Sequence, residues 1–142
     1  MRRTSVLIGI CMIAAMMITL YAQQRDGDAI MKDVGQVGGK GTLSQAVAAG
    51  NAADVAKEAD KLQGLFREMA GWLKAQKATQ GVDMANSAAG AAGEVAKAAK
   101  ANDMATAKAK AGELGKACKA CHDVYREKAP DGSMKFKANP AP

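Results

Sequence analysis

Thirty-two of the 142 residues are alanine, against two Phe, two Tyr, one Trp and three Pro. Alanine loses the least on entering a helix, whereas strands draw on β-branched and aromatic residues that this chain uses sparingly. The composition therefore excludes a β-sandwich or barrel. Apolar residues at 49% and charged residues at 24% also exclude a disordered chain. The length fits one domain and hardly two. An alanine core is short of volume, because long aliphatic and aromatic side chains normally carry most of the burial. Such a core calls for something further to fill it. With a single His and three Cys, a multi-histidine site is ruled out.

Residues 1–22, MRRTSVLIGICMIAAMMITLYA, read as an export leader rather than as part of the fold. Arg2 and Arg3 form a positive n-region, Val6 to Leu20 an apolar h-region, and Ala22 marks a cleavage point. Leu20 is an imperfect residue three places before that cut, and the alternative is an uncleaved N-terminal anchor. Ile10 before Cys11 argues against lipoprotein processing, which needs a small residue there. Either way the domain is placed in the periplasm. Without the leader, 18 basic and 14 acidic residues remain, so the net charge falls from +6 to +4.

The rest divides into amphipathic stretches separated by Gly-rich or polar breaks. Asp26 or Asp28 caps a first helix running to about Val37, and GGKG at 38–41 ends it. Thr42–Ala49 forms a short piece closed by Gly50. Asn51 caps a second long helix, in which Val55, Ala59, Leu62, Phe66, Met69 and Leu73 recur every three or four residues. A break at 79–81 precedes a third helix from about Val82 to Ala101, and Asn102 or Asp103 caps a fourth. Short connections between four such helices predict an all-α antiparallel four-helix bundle over 23–129, with 130–142 as a flexible tail. The lysines read as a solvated face. Basic residues mixed with acids, without interleaved aromatics, give no nucleic-acid signature.

One motif carries chemistry. Residues 118–122 are CKACH, two thiols three residues apart followed by a His, which is the attachment signature of a c-type haem. On a helix, positions i, i+3 and i+4 share a face, so Cys118 and Cys121 can each form a thioether while His122 turns toward the iron. A structural zinc site needs four ligands, and the mature chain has only three Cys and His in all. A thioredoxin-like pair wants a βαβ context, and a Cys118–Cys121 disulfide would strain the helix. The expectation is one covalently attached haem c, with His122 as the proximal iron ligand.

The stretch ANDMATAKAKAGELGKACKACHDVYREK at 101–128, and CKACHDVYR above all, resembles the last helix of class II c-type cytochromes, the family of cytochrome c-prime and its low-spin relatives. DAIMKDVG at 28–35 is similar to that family's first helix, though less closely. The resemblance spans essentially the exported domain and implies a four-helix bundle with haem near the C-terminus.

The sixth iron position decides function. Leader removal leaves Met31, Met69, Met84, Met104 and Met134. Bundle topology brings Met31 and Met84 to the end where His122 lies, and Met69 there from the diagonal helix. Met104 falls at the far end and Met134 in the tail. The family resemblance likewise implies Met31, followed by Lys32, as the sixth ligand. His/Met iron suits an electron carrier, not an enzyme. The alternative is a five-coordinate, high-spin protein that binds NO or CO. Arg126, one turn beyond His122, is a candidate for a propionate or proximal contact, or a solvated cation at a helix C-terminus. The lysine-rich face predicts a redox partner with an acidic docking surface, and a homodimer stays open.

Overall fold

The computed structural model describes residues 25–137, so the leader reading and the last five residues lie outside the described residues. Five helices and one hairpin follow in order: α1 (Gly27–Val37), α2 (Thr42–Ala49), α3 (Ala52–Ala75), α4 (Thr79–Lys100), α5 (Met104–Tyr125), β1 (Arg126–Lys128) and β2 (Met134–Phe136). The four long helices α1, α3, α4 and α5 make an all-α four-helix bundle, with α2 a short insertion between the first two. No helix among the described residues is long and apolar enough to cross a membrane.

Local chemistry sets most of the boundaries. The Asn51 side chain accepts from the Asp54 N–H at 3.2 Å, and Asp103 accepts from the Thr106 N–H at 3.0 Å. Each satisfies a backbone donor that the first turn would otherwise leave unpaired. Asp26 stands at the N-cap of α1 without a side-chain cap bond. Gly50 ends α2 in the left-handed conformation, φ 68°. The break between α3 and α4 differs from the sequence expectation of 79–81. It falls at Gln76–Ala78, with Lys77 at φ 59°, and α4 begins at Thr79. Gly81 is not a breaker but a buried helical position. A Cβ there would lie 3.0 Å from Leu73 and from the Tyr125 ring.

Packing is uneven around the bundle. From α3, Val55, Leu62, Leu65, Phe66, Met69 and Leu73 are buried. Opposite them α4 buries Ala85, Ala88, Ala89, Ala92, Ala96, Ala98 and Ala99, with Val95 its one larger aliphatic. Small residues let the two backbones approach closely, and α3–α4 is the most extensive helix pair. Next, α5 packs on α4, and α1 lies on α3 through Ile30, Val34 and Val37. Over its 22 residues α5 buries only Ala107, Leu114 and Tyr125. Its remaining apolar stripe is half-buried, and it faces α1 across a cavity.

The chain does not end in a loose tail at 130. β1 and β2 pair antiparallel, Arg126 with Phe136 and Lys128 with Met134. Phe136 stacks on Tyr125 with centroids 5.4 Å apart and meets Trp72 edge-on at 4.7 Å. At that same end a Cβ on Gly27 would fall 2.9 Å from three atoms of the Trp72 ring. The start of α1 and the ends of α3 and α5 are thus held together, the arrangement an up-down-up-down bundle requires. Gly27→Ala should destabilise the holoprotein by about 1–3 kcal/mol through overpacking. Urea unfolding checks this, and a midpoint equal to wild type would contradict the packing.

Candidate functional site

The cavity between α1 and α5 measures about 970 Å³, at the upper end of the range for small-molecule and cofactor sites. Two helix faces make its main walls. On α1, Asp28, Met31, Lys32 and Gly35 line it, a helical spacing one step round from the buried Ile30–Val34–Val37 stripe. On α5, Ala111, Leu114, Cys118, Cys121, His122 and Tyr125 do so at the same kind of spacing. The back wall comes from Leu62, Phe66 and Met69 of α3 and from Ala85 and Ala88 of α4, and α2 contributes Leu43 and Val47. The alanines matter because longer side chains from α4 would project into the space.

Both thiols are free and half-buried, so the CKACH segment is helical without a disulfide. Burial pushes both thiols above the ordinary cysteine value, and at Cys121 the neighbouring Cys118 adds to the shift. Burial also lowers the His122 pKa; the Arg126 charge acts in the same direction and Asp123 opposes it. At neutral pH the imidazole is consequently uncharged, the form in which a ring nitrogen can donate to a metal. Among the described residues, no group of three or more His, Cys, Asp or Glu could hold a metal ion. The donor set instead matches a metal carried inside an organic group: two thiols to tether it, one imidazole, and an apolar chamber to contain it. These residues fit a haem.

Met31, Met69, Met84 and Met134 all line the cavity, and Met104 does not. Sequence reasoning placed Met31, Met69 and Met84 at this end correctly. It misplaced Met134, which β2 brings to the cavity mouth and leaves 44% exposed. Lys135 and Phe136, next along β2, were missed as lining residues. The signal for them was Pro130-Asp131-Gly132, a turn sequence between two short extended runs. Arg126 lines the cavity at the base of the hairpin, with no ion pair among the described residues. Trp72 does not reach the cavity; it packs against Phe136 behind the wall. Gly115 borders the cavity, and neither it nor Gly112 is a point of close approach.

A helical bundle that encloses an apolar chamber, with an attachment motif on its last helix, defines a c-type haem protein. The family model described as Cytochrome C' matches residues 22–126, and the chain belongs to that family of c-type cytochromes. No curated protein and no solved structure matches the chain. If the alanine wall shapes a haem chamber, Ala88→Phe should fill it and sharply reduce the haem carried per chain. The ratio of haem absorbance to protein checks this; an unchanged ratio would show that the chamber does not hold the group.

Proposed function

We propose that this chain is an exported monohaem c-type cytochrome that carries electrons, acting in the periplasm after its leader at 1–22 has directed export. Cys118 and Cys121 hold the haem through thioethers, His122 is the proximal ligand and Met31 the sixth. One observation carries this reading: Cys118, Cys121 and His122 line the α5 wall of the cavity, and Met31 lines the α1 wall. When bound, the haem supplies the one-electron couple. The chain supplies ligation, burial and orientation. An imidazole and a thioether saturate iron and raise its potential, which suits electron transfer and leaves no site for catalysis.

Met31 is preferred over the other cavity methionines because it sits on the helix facing the CKACH wall. Met69, by contrast, belongs to the buried stripe of α3 that forms the back wall. Replacing Met31 by Ala should convert a low-spin haem spectrum to high-spin and abolish the weak far-red band of Met–iron ligation. An unchanged low-spin spectrum would transfer the role to Met84. A wild-type protein that is already high-spin would instead favour the five-coordinate, gas-binding reading.

Charge at the cavity mouth supports an acidic redox partner. Lys32, Lys108, Lys119, Lys135 and Arg126 border the cavity, against the single carboxylate of Asp28. Lys119 is tied to Asp123 at 2.7 Å, while Lys32, Lys108, Lys135 and Arg126 have no ion pair among the described residues. Electrostatic steering acts mainly on association rate and is screened over about 10 Å at 0.1 M salt. The rate of electron exchange with an acidic protein partner should therefore fall as salt rises, and a salt-independent rate would remove the docking claim.

A further inference from the structure

The family match ends at residue 126, where β1 begins, so the hairpin is an element that the match does not cover. It is closely built. Gly132, at φ 82°, and the Asp131 carboxylate, which accepts from the Ser133 N–H at 2.9 Å and its hydroxyl at 2.6 Å, shape the turn. The Ala129 N–H donates to the Ser133 carbonyl at 2.8 Å, and the Lys137 N–H to the Tyr125 carbonyl at 2.7 Å. A two-stranded hairpin is marginal in water by itself. What docks this one is Phe136, set between the Tyr125 ring at the end of α5 and the Trp72 ring in the last turn of α3. With Phe136 in place, Met134 and Lys135 stand at the mouth of the cavity beside Arg126, one turn from His122.

From this geometry we propose that the hairpin is a fixed wall of the haem chamber, latched by Phe136, which keeps water and external ligands away from the iron at the His122 end. The proposal rests on the cavity being the haem pocket. Phe136 is a positioning residue: it acts by holding Met134, Lys135 and Arg126 across the mouth. Ferric haem carries one more positive charge than ferrous, so excluding water disfavours the ferric state and raises the potential. Opening the wall reverses that effect and clears a path for small ligands.

The test uses the mature holoprotein carrying Phe136→Ala or Phe136→Tyr. Phe136→Ala should lower the midpoint potential and let imidazole displace the Met31 thioether from the ferric iron severalfold faster. Phe136→Tyr, which keeps the stacked ring, should retain wild-type values for both. Wild-type potential and imidazole rate in Phe136→Ala, with one haem per chain, would overturn the proposal. A wild-type chain that carries no haem would overturn the underlying reading instead. Hydrogen exchange on the wild-type holoprotein gives a second check, independent of whether the variant accumulates. The Lys137 amide should be protected, and exchange at the rate of an open chain would likewise overturn the latch.

Discussion

The helix pair α3–α4 is the constraint from which the rest of the structure follows. α4 buries seven alanines, a glycine and one valine, so it can lie close against the larger side chains of α3. α3 alone buries six large apolar side chains, from Val55 to Leu73, and turns them into that pair. The helices that flank it have little left with which to meet each other: α5 buries three residues and α1 four. A bundle of full-sized side chains would close the α1–α5 face with interdigitated residues. Here that face is a cavity of about 970 Å³, and the chemistry of the chain is gathered around it. A porphyrin is a large planar apolar group, and the haem proposed for this cavity would supply the volume that an alanine core lacks.

The same economy explains why the site is built at one end. His122 is near the C-terminus of α5 and Met31 near the N-terminus of α1, and the alternating course of the helices brings both to the end closed by Trp72, Tyr125 and Phe136. Three of the five aromatic residues in the sequence stand there. Surface ion pairs do little of this work. Arg25 bridges Asp33 at 2.6 Å and Glu68 at 3.4 Å, and Lys100 reaches Asp60 at 2.7 Å, but all are exposed and such pairs contribute about 0–1 kcal/mol each.

Much of this was legible in the sequence. Periodicity gave the four long helices, and Asn51 and Asp103 were readable caps because a side-chain oxygen before a helix satisfies an otherwise unpaired N–H. CKACH was legible because its spacing is dictated by the helix that carries it. The α3–α4 break was misread because Gly81 has the look of a breaker. Its absent side chain serves packing against Leu73 and Tyr125, while the reversal falls at Lys77, whose left-handed conformation nothing in its identity announces. The hairpin was missed for a related reason. Pro130-Asp131-Gly132 announces a turn, but the seating of the REK–MKF pair depends on Phe136 meeting Trp72, a contact between residues 64 positions apart that no local pattern encodes.

The central claim is that Cys118 and Cys121 anchor a haem in the α1–α5 cavity. Mass spectrometry of the mature protein under denaturing conditions tests it most directly, followed by peptide mapping. Every chain should retain one haem after unfolding, and the added mass should map to the peptide containing Cys118–His122. Two free, alkylatable thiols on that peptide, in protein exported and matured by its native host, would contradict it.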